Sequence, residues 1–219
     1  MCLQITMSET KEPTAYRRQL KSRILSTAME EFTSRGIRAA KMDDIAHLLS
    51  ISKRTLYELY ANKEDLLLEG VKFCHEQKIE EIHQLAKNCE NVMDVVIQYY
   101  RFKTDELHRT TPQFYEDVVK YPKVIQYFEE EKSRNRDLLV EFMRRGVEEG
   151  CFLDGLNYPL LANIFELFNM QVINSRLYQA NSMNEIFYHL LFVTLRGLCT
   201  RKGAAILDTF LEQIKEKKP

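Results

Sequence analysis

The stretch Met42-Asp43-Asp44-Ile45-Ala46-His47-Leu48-Leu49-Ser50-Ile51-Ser52-Lys53-Arg54-Thr55-Leu56-Tyr57-Glu58-Leu59-Tyr60 reads as two short helices around a tight break. Asp43 and Asp44 fall in the first turn of the first helix, Met42 to Leu49, where the helix dipole favours negative charge. Ser50-Ile51-Ser52 interrupts the pattern, and Ser52 is a good N-cap for a second helix over Lys53 to Tyr60. Ile45, Ala46, Leu49, Ile51 and Leu56 are spaced to clamp the pair, with Ala46 small where the two must approach closely. In front lies an amphipathic helix over Arg17 to Ser34, its stripe Leu20, Ile24, Leu25, Ala28 and Phe32 ended by Gly36. Behind, Asn62 caps a helix whose apolar series Leu66, Leu67, Val71 and Cys74 runs on towards Lys87.

The rest of the chain continues in helices. Seven glycines and five prolines in 219 residues are too few turn formers for a chain of hairpins, so the expected class is all-α. Helices are expected over Val92 to Leu107, from Thr111-Pro112 with Thr111 as cap, and from Tyr121-Pro122 to just before Gly150. Gly155 and Pro159 bracket a loop before an apolar segment from Leu160 to Tyr178. Ser182-x-x-Glu185 is a capping box opening Met183 to Cys199, and Ala204 to Lys217 closes the chain. The expected division is a tail over 1–15, a three-helix head over 16–62 and a larger helical body over 63–219.

Met1 to Pro13 lack the basic and apolar regions of a signal peptide, and no apolar run approaches the length of a membrane span. The five scattered cysteines contain no C-x-x-C, which points to free thiols in a reducing compartment. These readings predict a cytoplasmic protein without a membrane partner.

Net charge is −1, but it is unevenly placed. Tyr16 to Lys63 carries 10 basic and 5 acidic residues, whereas Glu64 to Gly150 carries 13 basic and 19 acidic. A basic head on an acidic body suggests a polyanion partner. Within the head, Lys53 and Arg54 sit in the first turn of one helix and Lys63 in the first turn of the next. The dipole disfavours cations there by roughly 0.3–1 kcal/mol each at a surface. A phosphate backbone lying across both helix starts turns that penalty into a gain. Any one of the three alone reads better as a solvated side chain; it is the three together that point to a phosphate backbone.

Gly36-Ile37-Arg38-Ala39-Ala40-Lys41-Met42-Asp43-Asp44-Ile45-Ala46, followed by Ser50-Ile51-Ser52-Lys53-Arg54-Thr55-Leu56-Tyr57-Glu58-Leu59-Tyr60-Ala61-Asn62-Lys63-Glu64-Asp65-Leu66, resembles the DNA-binding region of the TetR family of transcriptional regulators. The resemblance covers roughly 15 to 66; the remainder agrees only in being a run of helices. It implies a helix-turn-helix head whose helix Lys53–Tyr60 enters the major groove of double-stranded DNA. Ser52, Lys53, Arg54 and Thr55 would then lie nearest to bases or flanking phosphates, and Tyr57 and Lys63 against the backbone. Met42 would offer a main-chain N–H to a phosphate. Lys41 stands where the family usually has Thr or Ser, so a phosphate contact replaces a neutral cap. Ser50 stands where Gly is preferred, so the turn is expected to differ slightly. Arg54 stands where Gly is common and adds a donor able to read guanine bidentately. Leu59 and Tyr60 replace the usual Tyr-Phe pair.

The same resemblance implies a body that dimerises and binds a small effector, making the protein a repressor released from a palindromic operator. Leu160–Tyr178 and Ile186–Leu198 are apolar on more than one face, and a helix of that kind needs a second partner besides its own core. A homodimer through the helices near 160–178 and 183–199 is expected, with a large monomer core as the other reading. For an effector, Tyr99, Phe102, Phe114, Tyr115, Tyr121, Phe128, Phe142, Met143 and Phe168 offer aromatic or soft lining, with Asn169 and Gln171 as polar anchors. Such a lining favours an apolar or aromatic ligand, although aromatics at helical spacing are more often plain core.

An enzyme is the main alternative, and a protein-interaction scaffold another. Glu80-x-x-His83 is half of a di-iron bundle motif, but no second Glu-x-x-His follows. There is no G-x-S-x-G, P-loop or Rossmann fingerprint, so neither catalysis, nor a cofactor, nor a metal is expected. Cys199, near Arg196, Arg201 and Lys202, is a candidate sensor thiol, with a packed cysteine as the simpler reading.

Overall fold

The structure is a computed structural model and describes residues 15–216. The expected tail therefore lies outside the described residues except for Ala15, which opens the first helix. Ten α-helices follow one another among the described residues: α1 Ala15–Arg35, α2 Met42–Leu48, α3 Lys53–Leu59, α4 Lys63–Asn88, α5 Val92–Arg109, α6 Pro112–Val118, α7 Pro122–Glu148, α8 Tyr158–Asn174, α9 Met183–Leu198 and α10 Arg201–Glu216. The all-α class is as expected. One isolated β-bridge, Phe152 to Cys199, ties the loop after α7 to the end of α9.

The caps read from sequence form largely as expected. The side chain of Ser52 accepts from Thr55 N, Asn62 from Asp65 N and Ser182 from Glu185 N. Thr111 stands at the opening of α6, but its hydroxyl does not cap that helix; it donates to the Thr33 carbonyl at 3.0 Å. The apolar segment after Gly155 also differs in detail. Asn157 caps α8, so Pro159 sits in its first turn and not in the loop. The helix stops at Asn174, and a 3-10 turn, Leu177–Gln179, follows the left-handed Arg176.

The head folds around the stripe that α1 presents. Ile24, Leu25, Ala28, Met29 and Phe32 are buried, and Ile45, Ala46, Leu49 and Leu56 close over them from α2 and α3. Each large side chain so buried is worth about 1.5–3 kcal/mol. The core does not end at residue 62: Leu66, Leu67 and Val71 of α4, Val118 of α6 and Val124 of α7 belong to the same cluster. Gly70 allows α4 to approach α1, since a Cβ there would lie 2.8 Å from Met29 Sδ. A second core joins α5, α7, α8, α9 and α10 around Met93, Met143, Phe152, Phe192 and Leu207. Helix α4 thus begins in the head's core and runs on into the body.

The turn between α2 and α3 shows why Ser50 stands out. Ser50 N–H donates to the His47 carbonyl and Ile51 N–H to the Ala46 carbonyl, both at 3.0 Å, the pattern of a Schellman ending. That ending requires a left-handed residue, and Ser50 has φ 55°. The turn therefore keeps the geometry a glycine would give, and serine bears the strain of its Cβ. Ser50→Gly is expected to raise unfolding stability by about 0.5–1 kcal/mol, the relief of strain exceeding the added chain entropy. Urea denaturation checks it; a lower midpoint for the variant contradicts it.

Candidate nucleic-acid interface

Helix α3 projects from the head with Lys53, Arg54, Tyr57 and Glu58 exposed and only Leu56 fully buried. The three cations at the helix openings are not left bare in the free protein. Lys53 Nζ lies 2.5 Å from Asp43 Oδ2, and that hydrogen bond and the carboxylate's charge hold the ammonium above its ordinary value. Arg54 Nε lies 2.8 Å from Glu58 Oε1 one turn along the same helix. Lys63 Nζ donates to the carbonyls of Ile37 at 2.9 Å and Arg38 at 3.3 Å. Burial lowers the Lys63 pKa, partly opposed by Asp117.

These contacts give the three cations different characters. The Lys53–Asp43 and Arg54–Glu58 pairs are solvent-exposed, hence weak and exchangeable for a stronger anion. The Arg54 side chain is 88% exposed, and Glu58 holds only Nε, so both terminal nitrogens remain presented to solvent. Lys63 is instead a fastener: it binds the start of α4 to the loop between α1 and α2. The hydroxyls of Ser52 and Thr55 bond each other at 2.8 Å at the opening of α3.

Around the opening of α2 the fold assembles an open recess of about 390 Å³ lined by Lys41, Met42, Asp43, Tyr57, Ala61, Asn62 and Lys63. It brings together four of the residues singled out from sequence, two from α2 and its cap, one from α3 and one from α4. Lys41 occupies the N-cap with extended backbone and makes no side-chain cap bond. Its exposed ammonium forms no ion pair among the described residues. Met42 lines the recess although the residue is largely buried.

The aromatic residues proposed as an effector lining are not gathered in one place. Phe142 packs against Phe152 beside the body's core, and Phe128 is exposed next to Tyr127. Phe168 and Asn169 lie on the exposed side of α8. Phe114 and Tyr115 meet edge to face on α6, with Tyr115 reaching Tyr178. Tyr99 and Phe102 on α5 flank a cluster that sequence reading missed. There Lys78 of α4 pairs with Glu106 of α5, and Lys103 Nζ lies 2.6 Å from the other oxygen of Glu106. The available signal was the spacing Tyr99, Lys103, Glu106, which sets charges on one face of α5.

The alternatives are also placed. Glu80 accepts from Gln84 Nε2, and both Glu80 and His83 are exposed. Burial pushes the Cys199 thiol up to about 11, with Cys151 adding to it and Arg196 opposing; that is away from a reactive thiolate. Among the described residues no helix is long and apolar enough to cross a membrane.

Residues 24–69 match the family described as "Bacterial regulatory proteins, tetR family". Over 144 residues, 63% of this chain and 72% of the relative, the chain is 24% identical to the HTH-type transcriptional repressor KstR2 of Mycobacterium tuberculosis. Its fold is similar to that of a TetR-family transcriptional regulator from Agrobacterium tumefaciens, with a TM-score of 0.65 at 15% identity, covering 84% of this chain and 99% of that one. It is similar as well to a regulator from Saccharomonospora viridis in complex with choline, with a TM-score of 0.63 at 18% identity, covering 84% and 100%.

Proposed function

We propose that the chain, whose residues 24–69 match the TetR family of DNA-binding transcriptional regulators, binds a palindromic operator as a homodimer, represses from it, and is released by a small apolar or aromatic effector. The observation that carries the reading is the exposed α3 with Arg54 presented at its opening. Its terminal nitrogens suit the O6 and N7 acceptors of guanine in the major groove. Lys53 and Thr55 flank it, and Asp43 and Glu58 hold the cations until phosphates replace them. The recess at the start of α2 receives a backbone phosphate: Lys41 supplies charge, Met42 a main-chain N–H, Tyr57 a hydroxyl and Lys63 further positive potential.

We place the head at 16–62, its core closed by the first turns of α4 and by α6 and α7, and the body at 63–219, with α4 carrying the signal between them. Two recognition helices must sit about 34–36 Å apart to enter successive major grooves. A shift at the body end of α4 alters that spacing. An effector that prefers the mis-spaced dimer lowers operator affinity by its differential affinity and no more. The Saccharomonospora viridis protein, in complex with choline, supports a small-molecule site in this fold. For the dimer, α8 and α9 supply the surface. Leu161 and Phe165 of α8 turn inward, while Leu160, Ile164, Leu167 and Phe168 are exposed.

Titration of duplex DNA from upstream of the protein's own gene, at two salt concentrations, tests the reading. Arg54→Ala is expected to cost about 1–3 kcal/mol and relax preference at one base position. Lys41→Ala is expected to weaken all sequences alike and flatten the salt slope by about one unit. Lys63 is a poorer probe, because its loss also frees the Ile37 and Arg38 carbonyls. Unchanged affinity in both variants refutes the assigned interface.

A further inference from the structure

The cluster between α4 and α5 holds more positive charge than its own fold requires. Lys78 and Lys103 share one carboxylate, each taking a different oxygen of Glu106. Both lysine side chains are only 22% exposed, and Glu106 is 42% exposed. One lysine suffices to pair Glu106; the second leaves a net positive charge in a half-buried place, where uncompensated charge is expensive. Burial lowers the Lys103 pKa to about 8, with the neighbouring Lys78 charge adding to it and Glu106 opposing. Despite its burial, Glu106 is held below the usual carboxylate range by Lys103 and Lys78. Each ammonium has three N–H donors and uses one on Glu106, so donors remain on both. Apolar surface adjoins them: the Lys78 ammonium lies over the Phe102 ring at 5.6 Å, and Tyr99 and Cys74 border the same cluster.

We propose that Lys78 and Lys103 together receive the carboxylate of the effector, a monocarboxylic acid whose apolar body lies against Phe102. This rests on the regulator reading above and adds the chemical class of the ligand. The two oxygens of a carboxylate bridge two ammoniums as those of Glu106 already do, and a second anion balances the charge. Glu106 competes with the incoming acid for the same lysines. The other groups around the cluster are the phenols of Tyr99 and Tyr115 and the thiol of Cys74, whose pKa values burial raises, so none brings negative charge at neutral pH. Lysine charge fades above about pH 8 at Lys103, and acid binding weakens with it.

Calorimetric titration of the full chain with 2-naphthoate and decanoate, each against its own amide, tests the proposal. At least one acid is expected to bind tenfold or more tightly than its amide. Lys78→Met and Lys103→Met are each expected to weaken that acid at least tenfold, whereas Glu106→Gln strengthens it about threefold or more. A triad that only staples α4 to α5 predicts acid and amide alike, and a Glu106→Gln protein that gains nothing; either result overturns the proposal. Operator affinity without ligand is measured first on every variant. If the wild type binds no operator, the regulator reading fails. If it binds, and acid and amide release it equally, only the acid site fails.

Discussion

Leu167→Asp combined with Val193→Asp is expected to give a folded monomer whose operator affinity is at least a hundredfold lower. Both side chains point away from the protein, Leu167 being 66% and Val193 71% exposed, so neither substitution removes core contacts. Surface changes of this kind usually stay within about 0.5 kcal/mol of folding stability. In a two-fold dimer the pair places four carboxylates into one apolar seam, and buried charge without a partner cannot be accommodated there. The groove between α8 and α9, about 340 Å³ and lined by Phe168, Val172, Leu177, Ile186 and Leu190 among others, gives the seam somewhere to interdigitate. Once the dimer is lost, the second head no longer binds at the high effective concentration that the first provides, a factor of about 10²–10⁴. Sedimentation and circular dichroism report the two halves of the claim. A variant that stays dimeric, or a wild type that is monomeric at operator-binding concentrations, removes α8 and α9 from the interface.

What sequence reading reached, and where it stopped, follows the range of the interactions. Helix starts at Ser52, Asn62 and Ser182 are set by a side chain and an N–H three residues on, so the order of residues contains the whole interaction. Thr111 breaks that rule because its hydroxyl is turned to donate to the Thr33 carbonyl, 78 residues away, and does not accept from the first turn of α6. The positions of Lys53, Arg54 and Lys63 were legible, as was the i,i+4 spacing of Arg54 and Glu58, but not the partners of the two lysines. Asp43 faces Lys53 only once the turn has folded, and the Ile37 carbonyl meets Lys63 from 26 residues away. The dipole argument for a phosphate therefore needs the carboxylates beside Lys53 and Arg54 added to it, and Lys63 carries a structural duty besides. Aromatic residues mark buried or joining faces without saying which neighbour they meet. Phe142 found Phe152 and Phe168 found solvent, a difference that helical periodicity does not encode. The Lys78–Glu106–Lys103 cluster lay hidden for the opposite reason: charges on amphipathic helices read as solvated until the facing helix is known.

Asp117→Ala is expected to cost about 3 kcal/mol of folding stability, a larger loss than any single cation in the head. The side chain has no solvent exposure at all. One oxygen accepts the Arg38 N–H at 2.8 Å and the other the Lys120 ammonium at 3.0 Å. Alanine leaves the Arg38 N–H without its acceptor beneath a loop that Gly36 already brings against Gln113 of α6. Hydrogen bonds to a charged group are worth about 1.5–3 kcal/mol, and this one is half-buried, on the carboxylate side fully so. Asp117→Asn keeps an acceptor for Arg38 and gives up only the charge, so it is expected to lose about half as much. Thermal denaturation separates the two by a midpoint difference of several degrees, at about 2–4 °C per kcal/mol for a chain of this size. Lys120→Ala is the discriminating control, because that ammonium is 52% exposed and its pair with Asp117 is correspondingly weak. If it destabilises as much as Asp117→Ala, the ion pair and not the Arg38 N–H carries the effect. The consequence for DNA follows from position: the loop held by Asp117 from α6 and by Lys63 from α4 ends in Lys41, the cap of α2. Loosening it at either anchor disorders the recess before any phosphate arrives, so Asp117→Ala is expected to lower operator affinity although Asp117 touches no nucleic acid.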